Sequence, residues 1–142
     1  MLKFIVACAA LFISIPCFAV NPGFLSGVTT ISDGSVYTYS VDRSTDTTII
    51  NSKSDDSAGL LVVLPGSPQV GDSYRIANSL SGSNCDEYGY SLEDTCIRVD
   101  GGSIQLNDGY GDISNELCFA TCSEGAIVQY DGTTYTDIGD SF

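Results

Sequence analysis

Apolar and polar residues alternate along this chain with a period of two, and no window repeats convincingly at the 3.6-residue interval of an amphipathic helix. Residues 28–31 and 35–41 flank Asp33-Gly34, a dipeptide suited to a tight hairpin. In the second run Val36, Thr38 and Ser40 alternate with Tyr37, Tyr39 and Val41, so one face is the more apolar. Residues 47–50 form a short β-branched run, and 53–59 a polar loop. Residues 60–64 are apolar at every position, as expected of a strand covered on both faces. Pro65 and Pro68 cannot donate ladder hydrogen bonds and end that strand. Gly71-Asp72 then turns the chain into a strand over 73–77.

Beyond Ala77 the texture changes to Ser, Gly, Asn and acid, and 78–95 reads as an exposed loop. Short strands are expected at 97–99, 103–106, 117–120 and 126–130. Asp131-Gly132 joins the last of these to 133–138 as a terminal hairpin. The total of about ten short strands, spaced about ten residues apart, predicts an all-β chain: a small antiparallel sandwich, roll or barrel. The two Asp-Gly segments look alike, and hairpin chemistry alone accounts for their similarity.

The first nineteen residues fall outside this pattern. Lys3 precedes an apolar run over 4–15, Pro16 breaks it, and Cys17-Phe18-Ala19 places small residues at −3 and −1 of a cut after Ala19. This is the form of a secretory signal peptide, and retention as an N-terminal anchor is the alternative. The apolar run is short of the ~20 residues that span a bilayer. Residues 20–142 then form one β-rich domain, secreted to an extracellular or periplasmic space and free of the membrane after cleavage.

The whole chain of 142 residues carries a formal net charge of −13. Lys3 leaves with the leader, so Arg43, Lys53, Arg75 and Arg98 face all 18 acidic residues. Such a balance repels phosphate backbones and anionic lipid, which argues against nucleic-acid and membrane partners. Cys85, Cys96, Cys118 and Cys122 remain, an even number that points to two disulfides in an exported domain. The pairing stays open. Local bonds, Cys85 with Cys96 and Cys118 with Cys122, require residues 119–121 to turn. If that segment is a straight strand, Cys118 and Cys122 each pair with Cys85 or Cys96. The export signal and irregular spacing argue against a four-cysteine zinc site.

Catalytic chemistry finds little support. With no histidine in the chain, imidazole triads and ordinary imidazole acid–base chemistry are absent. Lys53, beside Asp55 and Asp56, reads as a solvated loop charge. Glu87, Glu93, Asp94 or Glu116 could form a glycosidase-like carboxylate pair, but so acidic a chain places carboxylates near one another by chance. No glycine-rich phosphate loop follows a strand and opens a helix. The expectation is a protein that is not an enzyme.

Several motifs occur in an order that resembles the β module of bacteriophage tail-fibre and other virion-fibre proteins. They are Tyr37-Thr38, Ile49-Ile50-Asn51, Leu64-Pro65 with Pro68, Val70-Gly71-Asp72, Tyr74-Arg75-Ile76 and Tyr130-Asp131-Gly132-Thr133, with Tyr135 as the following aromatic. The resemblance covers residues 33–139. It implies a structural piece of a homotrimeric fibre, or a tip that binds cell-surface glycans or another fibre component. The chain departs from the pattern by its signal peptide and by an inserted acidic loop with cysteines. That loop, CDEYGYSLEDTC over 85–96, together with NDGYGD over 107–112, is the candidate ligand-binding surface. Tyr88, Tyr90 and Tyr110 offer faces that stack on sugar rings, while Asp108 and Asp112 can bond hydroxyls or hold Ca²⁺ through hard oxygens. Residues 107–112 lack the full calcium-loop pattern, so the expectation is no cofactor, with Ca²⁺ as the alternative. The alternatives are a monomeric calcium- or carbohydrate-binding domain and a small secreted hydrolase or inhibitor.

Overall fold

β-Branched and apolar runs separated by Gly, Pro and Asp corners build eleven strands among the described residues, in two facing sheets. The computed structural model describes residues 27–43, 46–54 and 59–140. The leader expected over 1–19 lies outside these residues. They contain no α-helix, only two short 3₁₀ turns.

The path of the chain differs from a meander. Strand β1 (Gly27–Ile31) belongs to one sheet and β2 (Thr38–Ser40) to the other. Strands β3 (Asp46–Asn51), β4 (Leu60–Leu64), β5 (Ser73–Asn78) and β6 (Tyr90–Val99) repeat the alternation. Each strand therefore meets its neighbour one full turn later, running in the same direction: β1 pairs with β3 and β3 with β5, while β2 pairs with β4 and β4 with β6. The result is a two-sheet parallel coil of three turns.

The rest of the chain closes this coil. Strands β7 (Leu106–Asn107) and β8 (Ile113–Ser114) form the far edge of the larger sheet. Strand β9 (Glu116–Thr121) runs antiparallel to β6, and β10 (Gly125–Tyr130) antiparallel to β5. Strand β11 (Tyr135–Asp140) folds back on β10 and pairs with β7 in parallel. The all-β expectation holds, and of sandwich, roll and barrel the two sheets make it sandwich-like. The expected antiparallel pairing is found at the closing end, but five of the nine pairings among the described residues are parallel.

Asp33-Gly34 is accordingly a crossing between sheets and not a hairpin. A two-residue hairpin turn of the favoured mirror-image type needs positive φ. Gly34 is not among the positive-φ residues. Asp33 instead accepts the Ser35 N–H and hydroxyl at 2.8 and 2.7 Å, which bends the chain into the other sheet. By contrast Asp131-Gly132 forms the expected hairpin, with Tyr130 opposite Tyr135.

The core lies between the sheets. Ile49, Val62, Leu64, Ile76, Ile97, Leu106 and Val128 are fully buried there, with Tyr135. Strand β4 alternates buried and half-buried positions, so Leu61 and Val63 are only partly covered on the outer face. Three polar side chains sit within this apolar layer. Asn51 and Asn78 lie side by side in register on β3 and β5, both buried. Thr95 reaches them from the opposite sheet: Asn51 Nδ2 donates to Thr95 Oγ1 at 2.9 Å, and Thr95 Oγ1 donates to Asn78 Oδ1 at 2.6 Å. Asn78 Nδ2 donates to the Thr121 carbonyl at 2.8 Å. Interior polar groups are tolerated when paired in this way.

The proline corner and the terminal hairpin, distant in sequence, meet in space. The Gly71 N–H donates to the Tyr130 carbonyl and the Tyr130 N–H to the Asp72 carbonyl, each at 2.9 Å. Tyr135 Oη donates to the Pro65 carbonyl at 3.3 Å. Asp72 is buried, accepts the Gln69 N–H at 2.8 Å and pairs with Arg43 Nε at 2.7 Å. The Leu-Pro…Val-Gly-Asp and Tyr-Asp-Gly-Thr motifs are thus two halves of one corner, and that corner is scaffold.

Candidate functional site

The segment expected to be a plain loop, 78–95, is largely ordered by its own backbone. A 3₁₀ turn, Gly82–Asn84, leads into a small hairpin in which Cys85 bridges Ser91. The Asp86 N–H donates to the Tyr90 carbonyl at 2.9 Å, and the Gly89 N–H donates to the Asp86 carbonyl at 3.1 Å. Asp86 Oδ1 accepts the N–H groups of Tyr88 and Tyr90 at 2.9 and 2.8 Å, so one carboxylate fixes the bend. Gly89 takes φ of 87°, a left-handed conformation that costs glycine little.

The two disulfides take the non-local pairing, Cys85–Cys122 and Cys96–Cys118. Local pairing is overturned because 116–121 is a strand and does not turn. Cys85–Cys122 and the Cys122 N–H donating to the Gly89 carbonyl, at 2.9 Å, hold the hairpin to the end of β9. Cys96–Cys118 joins residues directly opposite on β6 and β9. Beneath the hairpin Leu80 and Cys122 form a second small apolar cluster.

This anchored hairpin carries its tyrosines outward. Tyr88 is 78% and Tyr90 55% exposed, and Leu92, two residues further along the same arm, is exposed as well. Tyr90 faces Thr121, but the next aligned pair is Thr95 with Phe119, so residues 91–94 bulge from the ladder. That bulge displays Leu92, Glu93 and Asp94. Glu87 at the bend is exposed, and Glu93 Oε2 accepts the Gly59 N–H at 3.0 Å.

Tyr110, Asp108 and Asp112 lie elsewhere, on the β7–β8 connection at the edge of the larger sheet, whereas the hairpin belongs to the smaller one. Tyr110 is 95% exposed. Asp108 Oδ1 accepts the N–H groups of Tyr110, Gly111 and Asp112 at 2.8–3.0 Å, and the Asp112 carbonyl accepts the Asp108 N–H. Asp108 therefore shapes this loop. Among the described residues, the acidic and thiol side chains close enough to share an ion are Cys96, Glu116 and Cys118. Both of those sulfurs are committed to a disulfide.

Other carboxylates have internal partners. Glu116 pairs with Arg98 across β6 and β9. Lys53, expected to be a solvated loop charge, is completely buried. Its Nζ donates to the Gly59 carbonyl at 2.6 Å and stands 5.2 Å above the Tyr37 ring, so its charge is met by a carbonyl dipole and an aromatic face. Asp55 and Asp56 lie outside the described residues. Sequence reasoning missed that Tyr88 and Tyr90 share a hairpin. The spacing Asp86-x-Tyr88-Gly89-Tyr90 between cysteines was the available signal, since Asp favours bonding its own backbone two residues on. No protein-family model matches the sequence, and no curated protein matches it.

Proposed function

We propose that this chain is a secreted, non-enzymatic structural or attachment module, of the kind the phage-fibre resemblance implies, and that it engages surface glycans through the 85–94 hairpin. The observation that carries the reading is the pair Tyr88 and Tyr90, exposed on a bend that a disulfide fastens to the scaffold. A rigid tyrosine loses little conformational freedom on binding, and its face suits the C–H face of a pyranose. The disulfides are compatible with an extracellular location. The parallel coil supports the structural side of the reading, because stacked turns make a stiff, extendable scaffold.

The test is a glycan array probed with the oxidised protein and with the double variant Tyr88→Ala and Tyr90→Ala. Binding by the first and at least a tenfold loss in the second is expected; equal retention of both proteins would sink the assignment. Light scattering on the same sample decides the fibre component of the proposal. A trimer supports assembly into a fibre, and a clean monomer restricts the module to a binding tip.

A further inference from the structure

The coil begins at an open end. Among the described residues β1 is the last strand of the larger sheet and β2 the last of the smaller one. The ladders fix which backbone groups lie along these edges. The Ile31 carbonyl accepts the Ser52 N–H at 2.9 Å, so Ile31 and Thr29 turn their backbone groups towards β3, and Val28 and Thr30 turn theirs outward. In the smaller sheet the Tyr37 carbonyl accepts the Leu61 N–H and the Val41 N–H donates to the Val63 carbonyl, so Thr38 and Ser40 face outward in the same way. All four outward residues are exposed. Native sheet edges are commonly blunted by lysine, proline or a bulge. Here the register shifts at Gly27, but residues 28–31 and 38–40 are regular and carry neither charge nor proline.

We propose that this end docks a second copy of the chain, which seats its own β1 antiparallel on β1. A two-fold axis normal to the sheets carries each sheet onto itself, so the same step sets β2 beside its counterpart and both sheets run on unbroken. Val28 then lies opposite the second copy's Thr30 and exchanges both N–H···O=C bonds with it, and Thr38 lies opposite Ser40 likewise. A foreign strand fills one edge, whereas a second copy fills both at once. Strand lengths select this arrangement over stacking in one direction. Five residues of β1 meet five and three of β2 meet three; head to tail, β1 would meet the two residues of β8, and β2 the six of β9. Charge favours the same choice. Two chains of −13 each repel one another, and the repulsion is least where one neutral edge meets another. The far end of the smaller sheet instead carries the Arg98–Glu116 ion pair. The tyrosine hairpin also belongs to that far, β6–β9 side. Pairing through β1 and β2 therefore leaves both hairpins uncovered at opposite ends of a bivalent particle. It does not rest on the glycan reading.

Sedimentation velocity on the oxidised protein, over a concentration series at low and high salt, tests the pairing. The expected result is a monomer–dimer equilibrium that tightens as salt screens the net charge. Thr30→Pro removes an outward N–H and no bond to β3, while Val28→Lys places a charge on the exposed edge. Each should weaken dimerisation roughly tenfold with an unchanged far-ultraviolet spectrum. Ile113→Lys, at an exposed position of β8 on the far edge, should leave it unaltered. Should Thr30→Pro fail to fold, Val28→Lys decides the matter, since its side chain lies outside the core. A monomer at every concentration overturns the pairing. A trimer overturns it in favour of the assembly that the fibre resemblance implies, and an open-ended polymer sensitive to Ile113→Lys overturns it in favour of head-to-tail stacking. A dimer indifferent to both edge variants overturns it as well. The glycan array decides the attachment reading separately, whichever of these results is found.

Discussion

Tyr135 is completely buried and still keeps a partner for its hydroxyl, donating to the Pro65 carbonyl at 3.3 Å. Its ring lies 6.2 Å from that of Tyr74 and 5.3 Å from that of Tyr130, tilted against both. Burial, with Asp72 nearby, pushes the Tyr74 phenol from 10.0 up to about 12, and burial beside Tyr74 pushes Tyr135 up as well. Raised phenols favour the folded state fully below pH 10.0, and that contribution is lost as the pH climbs towards about 12. Circular dichroism should therefore record unfolding in that alkaline window. Tyr135→Phe should cost about 1 kcal/mol at neutral pH for the lost hydrogen bond, and should move the alkaline midpoint upward. The buried trio of Asn51, Thr95 and Asn78 is less tolerant. Thr95→Val strips a partner from two interior amides and should cost on the order of 2–4 kcal/mol in denaturant unfolding.

At the scale of the element, two Asp-Gly dipeptides with similar flanks take different paths, and the difference is physical. Gly132 adopts φ of 110° and closes a local hairpin, and a Cβ there would stand 3.4 Å from Val70 Cγ2. Gly132→Ala should therefore destabilise the protein by about 1–3 kcal/mol, read from the denaturation midpoint. Asp33-Gly34 instead crosses between sheets, because β1 is matched by β3 a whole turn away. Asp33 and Asp131 both have carboxyl pKa values below 3.8: Ser35 hydrogen bonds hold Asp33 down, and the Thr134 and Thr133 N–H groups hold Asp131 down. Their contribution is present above 3.8 and is lost as the pH falls through the lower folded value. Strands β4 and β5, the proline corner and the last hairpin were legible because their signals are local. The parallel pairing was not, since a period of two marks a strand without naming its neighbour. The same limit hid the tyrosine hairpin, whose order comes from Asp86 and from a disulfide to a cysteine 37 residues away.

On the scale of the whole molecule the two disulfides divide their roles. Cys85–Cys122 closes a separation of 37 residues and pins the hairpin, while Cys96–Cys118 closes 22 and staples two paired strands. Replacing either pair by serine should cost about 3–4 kcal/mol in unfolding experiments. Only the loss of Cys85–Cys122 should also abolish the glycan binding proposed for the tyrosines, so the two variants separate scaffold from proposed site in one titration. The coil has a further consequence, for the order in which the protein can form. No strand from β1 to β6 can join its parallel neighbour until an intervening strand has been laid in the opposite sheet. Such pairings close long loops and form slowly. The β10–β11 hairpin closes across four residues, 131–134, and can form at once. Because β10 also flanks β5, this late-synthesised hairpin offers an edge on which the third turn can dock, and the second and first can follow. Folding that starts at this hairpin seats the third turn before the second, and the second before the first.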